Sequence, residues 1–332
     1  MTGKRVTRLA DIAALAGVTP ATVSRALSGH TQISTATRQK VLAIARDHGF
    51  QVNQTARNLR LGRTQAIGVV IPLGHRSAQR VSDPFYTALI GELMEGLARR
   101  GHAMLLQSGA PDDTDWLESL ARSGRVDGII VLCQSDQDPE LRDVARTYGP
   151  LVVWGEATEG YCCVGTDNFA GGRLATEHLL AAGRRRIAYA GMTDIPELAA
   201  RHQGYLSALA EAGVAPGPQV PVPLAFDRRD ACLHALMDKA GPVDAVVAAS
   251  DVIAMGVIAA LTEAGQQVPA DVAVVGYDDV SLAAHVVPAL TTVRQDLTGA
   301  AEVMLDLLFR RIGGEIAASV SLPPQLIRRQ SA

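Results

Sequence analysis

The stretch Leu9-Ala-Asp-Ile-Ala-Ala-Leu-Ala-Gly-Val-Thr-Pro-Ala-Thr-Val-Ser-Arg25 reads as two short helices around a tight turn. Leu9, Ile12, Ala13 and Ala16 recur at i, i+3, i+4, i+7 and give the first helix one apolar face. Gly17 stands where a helix C-terminus needs positive φ. Thr19 is a good N-cap, and Pro20 falls on the first helical position, where a missing N–H costs nothing. Val18 and Val23 flank the cap as a hydrophobic staple. The second helix turns Val23, Ala26 and Leu27 inward, leaving Pro20, Ala21, Ser24 and Arg25 outward. This is the layout of a helix-turn-helix, whose second helix presents its first residues to base edges in the major groove. An ordinary αα-hairpin shares the caps and the periodicity, so the neighbouring chain has to decide between them.

The charge does so. Residues 1–63 hold ten Lys/Arg and two acids, while the whole 332-residue chain has a net charge of −3. A small basic head on an acidic body is expected where the head alone meets phosphates. A third helix follows, capped by Ser34, carrying Val41, Leu42, Ile44 and Ala45 as its apolar face and closed by Gly49. Asn53–Arg60 is a short polar helix candidate with one large apolar residue, Leu59. It is too short to be stable alone in water. The expected organisation is a headpiece over 1–50, a hinge over 51–63 and a core over 64–332.

From Ala66 onward, short Val/Ile-rich runs alternate with amphipathic stretches. Strands are expected at Ala66–Ile71, Ala103–Gln107, Gly128–Leu132, Leu151–Trp154, Arg186–Ala190, Ala245–Ala249, Val272–Gly276 and Thr291–Arg294. Helices are expected at Phe85–Arg100, Trp116–Ser123, Phe169–Ala182, Leu198–Ala212, Arg229–Lys239, Val252–Ala264 and Gly299–Arg311. Strands buried on both faces and separated by helices mean α/β architecture with parallel sheets. There are enough units for two doubly wound lobes, one about 64–163 plus 294–322, the other about 164–293 plus 323–332.

Ligands of such sheets bind just outside the C-terminal strand ends. The residues there are Asp83-Pro-Phe-Tyr86, Asp167, Arg201, Ser250-Asp251 and Tyr277-Asp-Asp279. A carboxylate and an arginine can hold sugar hydroxyls while aromatic rings cover the apolar ring faces. Asp167, Asp251 and Asp279 all precede helical stretches, so a plain helix cap is the competing reading for each. Arg201 can equally be tied to Asp167 or Asp194 in a structural ion pair.

Composition excludes other classes. With 48% hydrophobic and 20% charged residues the chain is globular with a large core. No apolar run approaches the ~20 residues of a membrane span. The start leads into an amphipathic helix rather than a signal-peptide core, so a cytoplasmic location is expected. The four cysteines (Cys133, Cys162, Cys163, Cys232) have no zinc or redox spacing. Cys162 and Cys163 read as buried strand sulfur. No cofactor and no metal is expected. There is no nucleophile elbow, P-loop or GxGxxG that would mark an α/β enzyme. A binding protein without DNA function would lack the basic head.

The chain resembles the lactose/galactose repressor family of bacterial transcription regulators over almost its whole length. The match is carried by Asp11-Ile-Ala, Ala16-Gly-Val and Ala21-Thr-Val-Ser-Arg25, then by the linker Asn53–Leu59. Asp83-Pro-Phe85, Arg201-His-Gln-Gly-Tyr205, Ala249–Ala254, Val275–Asp278 and Leu290–Gln295 follow in order. The resemblance implies a homodimer on a palindromic operator, no membrane partner, and a core like periplasmic sugar-binding proteins that takes a small effector, a sugar in the first instance. It implies DNA contacts from Thr19, Pro20, Ala21, Thr22, Ser24, Arg25, Asn53 and Arg57, with Leu59 wedged into the minor groove. It implies effector contacts from Asp83, Phe85, Tyr86, Asp167, Arg201, Phe226, Asp251 and Asp278. Arg8 stands where many members have a capping Thr, and Ser250 where Asn is common. The motifs around Asp83–Tyr86 and Tyr161–Phe169 look closest to members sensing α-glucosides or related oligosaccharides.

Overall fold

The computed structural model describes residues 8–27, 32–50, 63–72, 81–109, 115–134, 138–223 and 243–332. Hinge residues Asn53, Arg57 and Leu59, the effector candidate Phe226 and the expected helix Arg229–Lys239 lie outside them. The chain divides into two units, Met1–Thr64 and Gln65–Ala332.

The first unit contains α1 (Leu9–Ala16), α2 (Pro20–Leu27) and α3 (Thr35–Asp47). Gly17 takes φ of 69° and ends α1. At its start, the Asp11 carboxylate accepts the Arg8 N–H at 3.1 Å, so a carboxylate from inside the helix does what a capping Thr would do. Ser34 caps α3 by accepting the Thr37 N–H. Ile12, Ala13, Ala16, Val23, Ala26, Val41 and Ala45 form the small shared core, with Val18, Leu27, Ile44 and Phe50 packed around it. Leu42 departs from expectation: it is 39% exposed. Val41 and Ala45 are four residues apart and take the inward stripe of α3, which leaves Leu42 off it.

The second unit runs β1 (Ala66–Pro72), α4 (Pro84–Arg99), β2 (Ala103–Gly109), α5 (Trp116–Arg122), β3 (Gly128–Leu132), α6 (Asp138–Thr147), β4 (Leu151–Trp154) and β5 (Cys162–Thr166). It continues with α7 (Asn168–Ala181), β6 (Ile187–Ala190), α8 (Pro196–Glu211), β7 (Gln219–Val220), β8 (Ala245–Ala248), α9 (Asp251–Glu263) and β9 (Ala273–Asp278). β10 (Thr291–Arg294), α10 (Leu297–Ile312), β11 (Val320–Leu322) and β12 (Gln325–Ile327) complete it.

These strands make two six-stranded sheets, ordered β11-β5-β4-β3-β1-β2 and β12-β10-β9-β8-β6-β7. Five strands of each follow the 2-1-3-4-5 order of doubly wound folds. All pairings in the first sheet are parallel. The second is parallel except at its edge, where β12 runs antiparallel to β10. A wholly parallel pair of sheets was the expectation; the exception is this edge strand, because the chain enters the second sheet directly from β11 of the first through Pro323-Pro324 and arrives running opposite to β10. The described chain passes between the sheets at Asp167, at Gln295-Asp296 and at Pro323-Pro324.

Each sheet is filled by the contiguous apolar strands and the inward faces of their helices. Cys162 and Cys163 are buried free thiols in β5, as strand sulfur should be. α6 was not anticipated, because only Leu141 and Val144 of its charged sequence are buried.

Candidate functional site

The headpiece displays the expected face. Thr19, Pro20, Ala21 and Arg25 are exposed, and Thr22 and Ser24 are half-buried. Val23 and Ala26 point into the core and fix the rotation of α2. The Thr19 hydroxyl accepts the Thr22 N–H at 3.2 Å, which satisfies an orphan donor of the first turn. The first turn of α2 therefore stands clear of the headpiece core, with Arg25 one turn further along the helix.

In the core, the two lobes meet at a cavity of about 30 Å³. One wall carries Phe85 and Trp154, whose ring centroids lie 5.9 Å apart. The other carries Arg201 and Asp278. Arg201 is held on three sides. Its Nε donates to Asn168 Oδ1 at 2.8 Å and its Nη1 to the Ala249 carbonyl at 2.6 Å. Its guanidinium lies 3.7 Å from the centre of the Tyr277 ring. Asp278 Oδ1 is 3.7 Å from Arg201 Nη1, an electrostatic pairing rather than a direct hydrogen bond, and accepts from Gln295 Nε2 at 2.7 Å. Burial pushes the Asp278 carboxyl well above the usual range, and Arg201 offsets part of that. Burial alone would lower Arg201; the Asp278 carboxylate, with smaller contributions from neighbouring groups, outweighs it and keeps the guanidinium charged.

α8 positions Arg201 through close helix contact. A Cβ on Gly204 would stand 2.0 Å from the Phe169 carbonyl, and one on Gly172 2.0 Å from the Arg201 carbonyl. Only glycine at both places lets α7 and α8 approach closely enough to bring Asn168 beside Arg201.

The other expected effector residues fall into two groups. Asp83 is buried as the N-cap of α4, accepting the Phe85 N–H at 2.9 Å, and so aims Phe85 at the cavity. Tyr86 donates its hydroxyl to Cys133 Sγ at 3.2 Å behind that wall. Asp167 and Asp251, by contrast, are not in the cavity lining. Asp167 is an exposed N-cap that accepts the Ala170 N–H. Asp251 is fully buried and accepts from the Val280 N–H at 2.8 Å and the Thr292 hydroxyl at 2.5 Å. Asp279 is held by Arg294 and Arg329, both at 2.6 Å. Of the helix caps read for these three carboxylates only Asp167 is one; Ser250 caps α9 by accepting the Ile253 N–H, and Asp251 and Asp279 brace neighbouring segments instead. The ion pairs of Arg201 with Asp167 or Asp194 are not among its contacts; its carboxylate is Asp278.

The structure also adds lining residues that the sequence reading passed over. Trp154 and Cys133 sit at or just after the ends of β4 and β3, where the same strand-end rule finds them. Glu197 lies one residue after Pro196, which starts α8 earlier than expected. It is 5% exposed, its Oε1 meets the Gln134 N–H at 3.4 Å, and burial raises its pKa. Its Oε2 has no hydrogen-bond partner among the described residues. Asn168 joins the lobes: its Nδ2 donates to Glu156 Oε1 at 2.6 Å while its Oδ1 accepts from Arg201.

Comparison with known proteins agrees with both halves. Residues 8–53 match the model "Bacterial regulatory proteins, lacI family", and residues 176–332 match "Periplasmic binding protein-like domain". The chain is 35% identical to the HTH-type transcriptional regulator CelR of Thermobifida fusca, over 97% of this chain and 96% of that protein. It is 31% identical to the ribose operon repressor of Escherichia coli (strain K12), over 97% and 98%. A solved structure described as a transcriptional regulator CelR-cellobiose complex aligns with a TM-score of 0.71 at 34% identity, covering 98% of this chain and 99% of that one. These relatives regulate transcription; none of the three is described as an enzyme. No described helix is long and apolar enough to cross a membrane. With a three-helix headpiece that exposes the first turn of α2 and, in a second unit, a two-lobed α/β core, the chain belongs to the lacI family of bacterial regulatory proteins and is a DNA-binding transcription regulator.

Proposed function

We propose that this protein represses transcription as a cytoplasmic homodimer on a palindromic operator and is released by a glucose-built disaccharide bound between the lobes of its core. The observation that carries the ligand class is the cavity itself: Phe85 and Trp154 face Arg201 and Asp278 across it. Rings cover the apolar faces of a sugar, while a guanidinium and a carboxylate bond its hydroxyls in pairs. Similarity to CelR and its cellobiose complex makes the β-linked disaccharide cellobiose the first ligand to test, ahead of an α-glucoside. The DNA contacts are assigned to Thr19–Arg25 with the hinge segment, and the effector contacts to Phe85, Arg201 and Asp278, with Asp83 and Tyr86 holding the Phe85 wall.

The size of the cavity suggests how binding is read out. About 30 Å³ holds only a water molecule or two, whereas small-ligand pockets run to roughly 300–1,000 Å³. A disaccharide therefore enters only as the lobes part. It then favours an arrangement other than the one described here, and that unequal affinity is what a switch requires.

The test is a thermal-shift series with cellobiose, maltose, glucose and ribose, followed by titration of the operator complex with whichever sugar stabilises the protein. Stabilisation by cellobiose together with release of the operator is the expected result. Stabilisation by none of these sugars would overturn the ligand class, and leave DNA binding by the headpiece untouched.

A further inference from the structure

We propose that Glu197 sets the charge selectivity of this cleft, so that it takes uncharged sugars and rejects sugar phosphates and sugar acids. The inference rests on the sugar reading above and narrows it.

Three observations carry it. The first is the balance of charge. Glu197 and Asp278 line the cavity with one cation, Arg201, among the described residues. Arg201 is already engaged by Asp278, by Asn168 and by the Ala249 carbonyl. Behind the lining, Asp83 acts on Asp278 and Glu156 acts on Glu197, each raising the pKa of the group it faces. Among the described residues, an anion entering this space meets four carboxyl groups and one guanidinium, which already donates through Nε and Nη1 to Asn168 and Ala249.

The second observation is the kind of hydrogen bond on offer. Glu197 Oε2 is buried and has no partner among the described residues. An unpaired buried acceptor calls for a donor. A sugar hydroxyl both donates and accepts, so it can satisfy this carboxyl whether or not the carboxyl carries a proton; a phosphate or carboxylate brings a negative charge into a site whose burial already disfavours ionised Glu197.

The third concerns helix ends. An exposed helix N-terminus is the usual seat for a phosphate, because its free N–H groups and dipole favour negative charge. Here that seat is filled from within the chain. Glu197 lies in the first turn of α8. Asp83, Asp167 and Asp296 stand one residue before α4, α7 and α10 and cap them, whereas α8 has no side-chain cap and carries Glu197 inside its first turn. Each helix that opens beside the lobe junction brings its own carboxylate, and Glu197 is the one that also lines the cavity.

The proposal is tested on the full-length protein by measuring affinity for cellobiose and for cellobiose 6′-phosphate, with glucose, maltose and ribose beside them. Wild type is expected to bind the neutral disaccharide at least about a hundredfold tighter than its phosphate ester, the scale of like-charge repulsion in a partly desolvated site. Glu197→Gln keeps the shape and removes the charge. It is expected to weaken cellobiose and strengthen the ester, narrowing the ratio by at least about tenfold. Melting of the unliganded variant checks its fold, and Glu197→Ser repeats the measurement with a smaller side chain. Equal binding of cellobiose and its ester by wild type would overturn the charge selectivity and leave the sugar reading standing. An unchanged ratio in both folded variants would remove Glu197 as its source. No binding of any of these sugars would overturn the sugar reading and this inference together.

Discussion

Asp278 meets two demands at one position. It ends β9 with a backbone φ of 116°, a conformation few side chains adopt, and it places a buried carboxylate beside Arg201. Strain of this kind persists where surrounding structure holds it in place, and it collects at functional sites. Asn shares the tolerance of positive φ, so Asp278→Asn removes the charge with little backbone cost. It is expected to weaken sugar binding by about 1.5–3 kcal/mol, the range for a hydrogen bond to a charged group. Titrating the operator complex with cellobiose checks this: release should need tenfold to a hundredfold more sugar, on the order of that energy. Glu197 gives a pH signature. Its folded pKa is raised by burial, so its contribution to stability is fully present below the unfolded carboxylate value and is lost as pH rises through the folded one. Glu197→Gln lacks that loss. The melting temperature of the variant relative to wild type is therefore expected to climb as pH is raised from acid to neutral. A pH-independent difference would mean that Glu197 is as easily ionised in the fold as in the open chain.

Among the elements, α2 and the α7–α8 pair carry the most function. Local chemistry places α2: the Thr19 cap, Pro20 at the first position, and Val23 with Ala26 inward. Arg25 projects from its exposed face and is assigned to a guanine through a bidentate pair to O6 and N7. Arg25→Ala is expected to cost ~1–3 kcal/mol on the operator and to flatten preference at one base position per half-site, as read by binding to a set of single-base operator variants. α7 and α8 depend instead on one another. With a Cβ at Gly204 only 2.0 Å from the Phe169 carbonyl, Gly204→Ala has to push the helices apart. Such overpacking costs about 1–3 kcal/mol, and here it also moves Arg201 away from Asn168. Chemical denaturation should register the first effect and a thermal-shift titration with sugar the second.

For the molecule as a whole, the separation of charge matches the separation into units. The excess of basic over acidic residues, ten against two, lies before residue 64, at the boundary where the chain divides. DNA affinity is thus expected to fall steeply with salt and to vanish when residues 1–63 are deleted, while the remaining core still melts cooperatively and still responds to sugar. Loss of the sugar response on deletion would mean that the core does not fold independently. A palindromic site is read by a two-fold pair, so sedimentation of the intact protein at micromolar concentration is expected to give a dimer. A stable monomer would count against the operator geometry proposed here.

How much of this was legible in the residues follows from the range of the forces. The caps at Thr19 and Ser34, the positive φ at Gly17 and the apolar stripe of Ile12, Ala13 and Ala16 act within a turn or two of helix, so the headpiece could be read directly. The buried strands could be read for the same reason, since Gly128–Leu132 or Leu151–Trp154 are continuous apolar runs wherever they end up. The rule that ligands sit at strand ends then located Phe85, Arg201 and Asp278. It could not distinguish them from Asp167 and Asp251, because a carboxylate at the start of a helix has the same local signature whether it caps the helix, braces a distant segment or meets a ligand. That choice depends on what lies opposite, and what lies opposite Asp251 is Thr292 and the Val280 N–H, far along the chain. Glu197 was hidden in the same way: nothing beside it in sequence says that Gln134 and Trp154 of the other lobe will bury it. Local sequence decided which helices and strands form, because their stabilising contacts lie within a few residues. Which acidic side chains face the cleft was decided only when the two lobes closed on each other, because burial and partners come from segments tens of residues apart.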